Sequence, residues 1–167
     1  FDGKDFINIT DSNSLDIRGD LSIETWIRQN TFPNYYEALV AKRVSASTTT
    51  NYEIFLNTAG GGNSRNLSYY DGTDVRIGSF VPPTNEWSHI IAVVRNNTQR
   101  VEFYTNGILR DNLTGFNGGI NNAQLSIGGF DHTTDEIFNG SIAQVRIYNR
   151  SLSANQIFEL YNSYNTS

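Results

Sequence analysis

The sequence predicts an all-β fold in which two antiparallel sheets pack face to face and a short helix follows at the C-terminus. Three observations predict it. Short runs of alternating apolar and polar residues are separated by clusters of Gly, Asn, Asp and Thr. The run at residues 90–94 is apolar on both faces, as in a strand that is covered on both sides. Helical spacing of apolar residues occurs only near the C-terminus.

The alternating runs define the candidate strands. In chain order they are expected at residues 6–10, 21–29, 38–42, 52–56, 65–70, 74–78, 86–95, 100–105, 108–112, 124–128 and 140–148. Asn106-Gly107 predicts a type I′ hairpin turn, because both residues tolerate a positive φ. Asp71-Gly72 is a second turn signal, and Pro82-Pro83 marks a loop because proline cannot donate to a sheet ladder.

The closing segment of the chain predicts a strand followed by a capped helix. Strict alternation in this strand places Ile142, Gln144, Arg146 and Tyr148 on one face and Ala143, Val145 and Ile147 on the other. Ser153 then matches a helix N-cap, with Gln156 three residues further on in the pattern of a capping box. Ile157, Leu160 and Tyr161 follow at helical spacing.

Length and charge limit the classes of function. The 167 residues suit a single domain, 1–167, with a sizeable core. A formal charge of -5 argues against a nucleic-acid partner, and no apolar run approaches the roughly 20 residues of a membrane helix. The absence of cysteine excludes disulfides and Cys-ligated zinc. Because the chain has no methionine and opens on strand-like sequence, we expect a processed product or a module of a larger protein.

Seven Asn-x-Ser/Thr sequons occur in the chain, and they are candidate N-glycosylation sites. They begin at Asn8, Asn66, Asn96, Asn112, Asn139, Asn149 and Asn165. Two interpretations remain open, a glycosylated surface protein and a composition that is simply rich in Asn, Ser and Thr.

A series of short motifs runs along the whole chain in a recognisable order. The motifs are Phe1-Asp2-Gly3 with Phe6-Ile7, Leu15-Asp16-Ile17, Leu21 to Ile27, Glu86-Trp87-Ser88-His89 with its apolar continuation, Val101 to Gly107, Leu125 to Gly128, and Phe138 to Ile142. Their order resembles the laminin G-like, concanavalin A-like jelly-roll domains found as modules of surface and secreted proteins. The resemblance implies a two-sheet antiparallel jelly-roll β-sandwich with a short C-terminal helix.

The resemblance also implies a function, and two rivals stay open beside it. It implies a non-catalytic, extracellular or cell-surface recognition module that binds glycans or glycoproteins in adhesion. The first rival is a structural or spacer module, or a subunit of a surface assembly, that contacts neighbouring proteins. The second is a degenerate glycoside hydrolase. Fold resemblance does not separate these classes, because function depends on the site.

Calcium is implied by the resemblance but disfavoured by one residue. The family's closing strand usually carries an aspartate that supplies a calcium carboxylate, and this chain has Ala143 in that position. Since a hard cation needs several oxygen ligands, we expect no tight calcium site, although carbonyls near Asp2 and Gly19 remain candidates. Asp131 and Asp135 lie in a short Gly-flanked acidic loop that is either a weak metal site or a solvated loop.

Catalysis is not expected from the distribution of carboxylates. A retaining glycosidase needs two carboxylates about 5–5.5 Å apart, which on a strand requires acidic residues two positions apart. Glu24 and Glu102 are isolated on their strands, and Asp135 and Glu136 are adjacent, so they would face opposite sides. The sequence therefore predicts a protein that is not an enzyme.

Aromatic residues supply the candidate ligand-binding positions. Exposed aromatic faces stack on sugar rings, and neighbouring polar groups bind the hydroxyls. The candidates are Tyr35, Tyr36, Tyr69, Tyr70, Phe130 and Asp131. Trp26 and Trp87 are expected in the core, and His89 is expected to pack and to hydrogen-bond there.

Overall fold

A computed structural model describes residues 1–30, 36–44, 50–57, 65–116, 119, 121–130 and 136–164. Its strands are β1 (Ile7–Ile9), β2 (Leu21–Gln29), β3 (Tyr36–Arg43), β4 (Thr50–Asn57), β5 (Asn66–Tyr70), β6 (Val75–Ile77), β7 (Trp87–Arg95), β8 (Arg100–Thr105), β9 (Ile108–Thr114), β10 (Leu125–Ile127) and β11 (Gly140–Tyr148). Short 3₁₀ turns occupy Asn13–Leu15 and Asn96–Thr98, and helix α1 spans Ala154–Tyr164. Each predicted strand is confirmed within two residues at either end.

The strands form two antiparallel sheets, as predicted. One has six strands in the order β1-β10-β3-β4-β5-β6, and the other has five in the order β11-β2-β7-β8-β9. Their facing sides bury the main core, in which β2, β4 and β8 contribute Ile23, Ile27, Ile54, Leu56 and Phe103. The fold is a jelly-roll β-sandwich, so each sheet also has an outer face that is available for other contacts.

The central strand β7 is covered on both faces, which confirms the expectation from its apolar run. Ile90 and Ala92 face the main core between the sheets. Ile91 and Val93 face the other way and pack with Leu152, just before α1, and with Ile157, within α1. The helix therefore covers the outer face of the five-stranded sheet. Among the described residues, no helix is both long and apolar enough to cross a membrane.

Two short sequence motifs form the local structures that they predict, one at the start of α1 and one at the turn between β8 and β9. Gln156 N–H donates to Ser153 Oγ at 3.3 Å and Ser153 N–H donates to Gln156 Oε1 at 3.0 Å, which confirms the capping box. Asn106 and Gly107 have φ values of 51° and 76° and join β8 to β9 as the predicted two-residue hairpin turn.

The predicted alternation of β11 is wrong because the strand contains a bulge. Gln144 has a φ of 54°, and the register against β2 shifts between Ala143 and Arg146. The extra residue reverses the side-chain parity along the strand. As a result Ile142 packs on the main core together with Val145 and Ile147 rather than opposite them.

Candidate functional site

A cleft of about 210 Å³ lies on the outer face of the six-stranded sheet, and we call it the β3–β6 cleft. It is lined by Tyr36, Arg43, Glu53, Phe55, Tyr70, Val75 and Glu136. Alternation along the strands positions these side chains. On β4, Tyr52, Ile54 and Leu56 point into the core, so the residues between them point outward.

The walls of the cleft are aromatic. Tyr36 is 44% exposed, and its ring centroid lies 6.0 Å from that of Phe55 at an interplanar angle of 53°. The Tyr70 hydroxyl donates to the carbonyl of Gly72 at 3.0 Å, which holds this ring in place at the β5–β6 turn. Val75 lies opposite Tyr70 in the register and extends the apolar surface.

Arg43 is the charged centre of the cleft. Its Nη1 donates to Glu53 Oε2 at 2.9 Å and its Nη2 donates to Glu136 Oε2 at 2.5 Å. The guanidinium carbon lies 3.9 Å from the centroid of the Phe130 ring and 5.7 Å from that of Tyr70. Three strands and the segment before β11 thus meet at one guanidinium, and the cation–π contacts add to its ion pairs.

Burial dominates the electrostatics of the paired carboxylate on β4. Glu53 is 2% exposed, and burial raises its pKa to about 7, assisted by Glu136 and opposed by Arg43. Burial also raises the pKa of the Tyr70 hydroxyl, which therefore stays protonated at neutral pH. The cleft thus combines aromatic faces with hydrogen-bonding oxygens, which suits a ligand that has apolar ring faces and hydroxyl groups.

Two of the six predicted ligand-binding residues line this cleft, namely Tyr36 and Tyr70. Tyr35 and Asp131 lie outside the described residues. Tyr69 is fully buried, with its ring edge-on to that of Phe116 at 5.7 Å. The expectation that its ring is open to a ligand is wrong, because alternation along β5 turns Tyr69 inward and Tyr70 outward.

The prediction that Phe130 stacks on a ligand is also wrong. It is 2% exposed and packs on Ala38 and Ala41, with the Arg43 guanidinium above its ring. Its faces are therefore already covered. Instead Phe130 packs against the guanidinium of Arg43. Arg43, Glu53 and Glu136 line the cleft but were not predicted from the sequence as site residues.

The candidate metal residues do not come together. Asp2 forms an isolated β-bridge with Asn139, which lies beside Gln29 at the C-terminal end of β2. Gly19 instead precedes Leu21, the first residue of β2. At about 3.3 Å per residue the two ends of this strand are roughly 26 Å apart, so Asp2 and Gly19 cannot hold one ion.

The remaining metal candidates add no ligand set in the described part of the chain. Asp131 and Asp135 fall outside the described residues. Within those residues, no three His, Cys, Asp or Glu side chains are grouped as a metal site would require. Ala143 lies opposite Trp26 in the β11–β2 register, in a position that offers a methyl group and no carboxylate.

A second polar cluster lies between the five-stranded sheet and α1. Glu24 is fully buried, and its Oε1 lies 3.1 Å from His89 Nε2, 3.3 Å from Arg146 Nη1 and 3.2 Å from the Tyr164 hydroxyl. The Tyr148 hydroxyl donates to its Oε2 at 2.5 Å. His89 thus has the packed and hydrogen-bonded environment that the sequence predicted.

The two tryptophans have different surroundings. Trp26 is partly buried, and its ring is 4.9 Å from that of His89 and 6.0 Å from that of Tyr161. Trp87 is 44% exposed, so its expected place in the core is wrong. It is the first residue of β7 and extends beyond the part of the strand that the helix covers.

The sequon asparagines differ in exposure. Asn8, Asn112 and Asn149 are exposed, and they stay predicted glycosylation sites. The side-chain amides of Asn66 and Asn96 donate to the carbonyls of Gly78 and Arg18, and Asn139 is partly buried. Asn165 lies outside the described residues.

Three solved structures show the similarity of this fold to known proteins. Domain 4 of AbnA, a GH43 extracellular arabinanase from Geobacillus stearothermophilus in complex with arabinotriose, aligns with a TM-score of 0.71 and 22% identity over 96% of this chain and 74% of that one. A putative carbohydrate binding protein from Bacteroides ovatus ATCC 8483 aligns with a TM-score of 0.74 and 17% identity over 92% of this chain and 44% of that one. The binding domain of Paraclostridial Mosquitocidal Protein 1 aligns with a TM-score of 0.70 and 20% identity over 97% of this chain and 42% of that one.

These structural likenesses, all below 25% identity, show the fold alone, and the chain spans less than half the length of the second and third structures. No curated protein is significantly similar in sequence. The sequence model of the concanavalin A-like lectin/glucanases superfamily, of the laminin G type, matches residues 1–158. The chain therefore belongs to this family, as the order of its motifs predicted.

Proposed function

We propose that this member of the concanavalin A-like lectin/glucanases superfamily is a non-catalytic module that binds glycans or glycoproteins through the β3–β6 cleft. The observation that carries the proposal is that two tyrosine rings, Tyr36 and Tyr70, line one cleft together with the hydrogen-bonding centre at Arg43. Sugar rings have apolar faces edged by hydroxyls, so they match such a surface.

The similar structures support this proposal. One is in complex with arabinotriose and another is a putative carbohydrate binding protein. The arabinanase is extracellular, and we propose that this chain also lies outside the cell, in an adhesive surface protein. Exposed sequons at Asn8, Asn112 and Asn149 agree with that location.

The arrangement of carboxylates favours binding over catalysis. Glu53 and Glu136 are each bound to the same guanidinium, which lies between them. General acid and base catalysis requires two carboxyl groups that reach the scissile bond and its water. Because Arg43 occupies the space between these two, we propose that the cleft holds its ligand without cleaving it.

A structural role in a surface assembly is the second candidate function. Ile108, Leu109 and Phe158 are large apolar residues that are each about half exposed. A Cβ atom at Gly107 would lie 3.3 Å from Phe158, so the β8–β9 turn and α1 are neighbours there. Exposed apolar side chains on an edge strand and on the neighbouring helix are typical of a protein contact.

A glycan array probed with the folded chain tests the proposal. We expect specific binding, and we expect Tyr36→Ala to weaken it by about tenfold, since losing one stacked aromatic removes roughly 1–2 kcal/mol. Ile108→Ala is the comparison variant, because it removes an apolar side chain that is 54% exposed, against 44% for Tyr36, from the other sheet and from the rival contact surface.

Two results decide between the candidate functions. Absence of binding on a broad array, with a chain whose circular dichroism shows an intact fold, would refute glycan recognition. Binding that Ile108→Ala abolishes and Tyr36→Ala leaves unchanged would move the site away from the β3–β6 cleft and toward the exposed apolar side chains of β9.

A further inference from the structure

We infer that the β3–β6 cleft selects uncharged saccharides and discriminates against those that carry a carboxylate. This inference rests on the proposed function and concerns the class of glycan that the same site accepts. It follows from the balance of charge in the cleft and from the hydrogen bonds that its one arginine already makes.

The charge of the cleft is negative when its acids are ionised. Among the described residues that line it, Arg43 is the only cation and Glu53 and Glu136 are the two acids. Both acids lie within 3 Å of the guanidinium, at 2.9 Å and 2.5 Å. One positive charge therefore faces two negative ones, and an acidic ligand would add a third negative charge beside them.

Both terminal nitrogens of Arg43 are already bound to acids, which leaves a ligand carboxylate little of the guanidinium fork to bind. Recognition of a carboxylate by arginine normally uses two parallel N–H groups of the fork. Here Nη1 donates to Glu53, Nη2 donates to Glu136, and Nε is buried with no hydrogen-bond partner among the described residues. The ring of Phe130 covers one face of the guanidinium at 3.9 Å, and the side chain is 10% exposed.

Apart from the exposed Tyr36 hydroxyl, the remaining polar side chains that line the described cleft accept hydrogen bonds or are occupied. The Tyr70 hydroxyl already donates to the Gly72 carbonyl. Carboxylate oxygens of Glu53 and Glu136 accept hydrogen bonds and cannot donate them while ionised. A saccharide hydroxyl can donate to these oxygens, whereas a saccharide carboxylate meets like charge, so the cleft favours neutral sugars.

The selectivity is expected to depend on pH because the Glu53 carboxyl group titrates. Arg43 on β3, Tyr70 on β5 and Glu136 before β11 face this carboxyl group, and its pKa is about 7. Above that pH Glu53 is ionised, and the penalty for an acidic ligand grows. Discrimination against acidic glycans is therefore expected to be stronger at pH 8 than at pH 6.

The test is an array on which each acidic glycan stands beside its uncharged counterpart. Suitable pairs are sialylated and desialylated oligosaccharides, and uronic acid oligosaccharides with their methyl esters. We expect the uncharged member of a bound pair to be preferred by at least about tenfold at pH 8 and by less at pH 6. Glu136→Gln, which removes one negative charge at a partly exposed position, is expected to reduce the preference at both values of pH.

A control variant and two contrary outcomes distinguish failure of the selectivity from failure of glycan binding itself. Glu86→Gln removes the same charge from an exposed loop away from the cleft and should leave the preference unchanged. Equal or tighter binding of the acidic members would overturn the selectivity and leave glycan binding intact. Binding of neither member of any pair by a folded chain would overturn the proposed function and the selectivity with it.

Discussion

At the scale of single residues, Lys42 is a fully buried cation inside a cage of oxygen atoms. Its Nζ lies 2.6 Å from Asp11 Oδ1, 3.1 Å from Asp16 Oδ1, and 3.1 Å and 2.7 Å from the carbonyl oxygens of Asn121 and Ala123. The ammonium thus joins β3 to the loop before β2 and to the segment before β10. A buried charge is tolerated when it is paired and hydrogen-bonded to this extent.

Lys42→Met is therefore expected to be strongly destabilising. The apolar side chain keeps the volume but leaves two carboxylates and two carbonyls without their shared partner, a loss of about 3–5 kcal/mol for a broken buried ion pair. Urea unfolding measures the change in the free energy of unfolding. Lys4→Met, at an exposed position, is the matched control, and equal stability of the two variants would contradict the structural role of Lys42.

Residue type alone predicted part of the candidate site. Tyr36 and Tyr70 could be found because exposed aromatics next to turn signals are typical of sugar-binding surfaces. Arg43 and Glu136 are 93 positions apart in the chain, and no local pattern indicates that they meet. Tyr69 and Tyr70 are neighbours in sequence, and only the phase of β5 decides which of them is exposed.

At the scale of elements, Glu24 links the five-stranded sheet to its covering helix. Its buried carboxylate on β2 is contacted by His89 of β7, Tyr148 of β11 and Tyr164 of α1. Burial raises the pKa of this group, but the hydrogen bonds of His89 and Tyr148 and the nearby positive charges outweigh burial and leave the pKa below its usual value. The ionised carboxylate is therefore the form that holds the helix.

Glu24→Gln is expected to loosen α1 before it unfolds the sandwich. The neutral amide loses charge-assisted hydrogen bonds worth about 1.5–3 kcal/mol, while the main core between the sheets is unchanged. Amide hydrogen exchange should become faster in Ala154–Tyr164 than in β4. Glu159→Gln, an exposed acid on the same helix, is the control, and protection of α1 equal to wild type in Glu24→Gln would argue against the link.

Elements could be predicted from the sequence far better than their irregularities. Alternation located the strands because side-chain period is a direct consequence of strand geometry. It failed at β11 because one residue, Gln144, adopts a positive φ that its type does not announce. The bulge decides that Ile142 and Ile147 share a face, so it also decides which side of β11 meets the core.

At the scale of the whole molecule, the fold is built to carry several ionisable groups inside it. Glu37 is fully buried between the sheets, 2.9 Å from Arg65, and burial raises its pKa to about 7 despite the opposing effects of Arg65 and Gln29. Glu53 has a pKa of about 7 for the same principal reason, in the β3–β6 cleft. Both acids bind protons more tightly in the folded chain than in the unfolded one.

The sandwich is therefore expected to be more stable near pH 5 than near pH 8. The unfolded chain releases its protons near pH 4.5 and the folded chain releases them near pH 7, so the free energy of unfolding falls as the pH rises through that interval. One pKa unit corresponds to about 1.4 kcal/mol, and a loss of a few kcal/mol is expected across it. Glu53→Gln cannot ionise and should show a smaller loss in urea unfolding measured at both values of pH. Stability that rises from pH 5 to pH 8 in the wild-type chain would show that these buried acids are ionised throughout, and that their ion pairs with Arg43 and Arg65 outweigh burial.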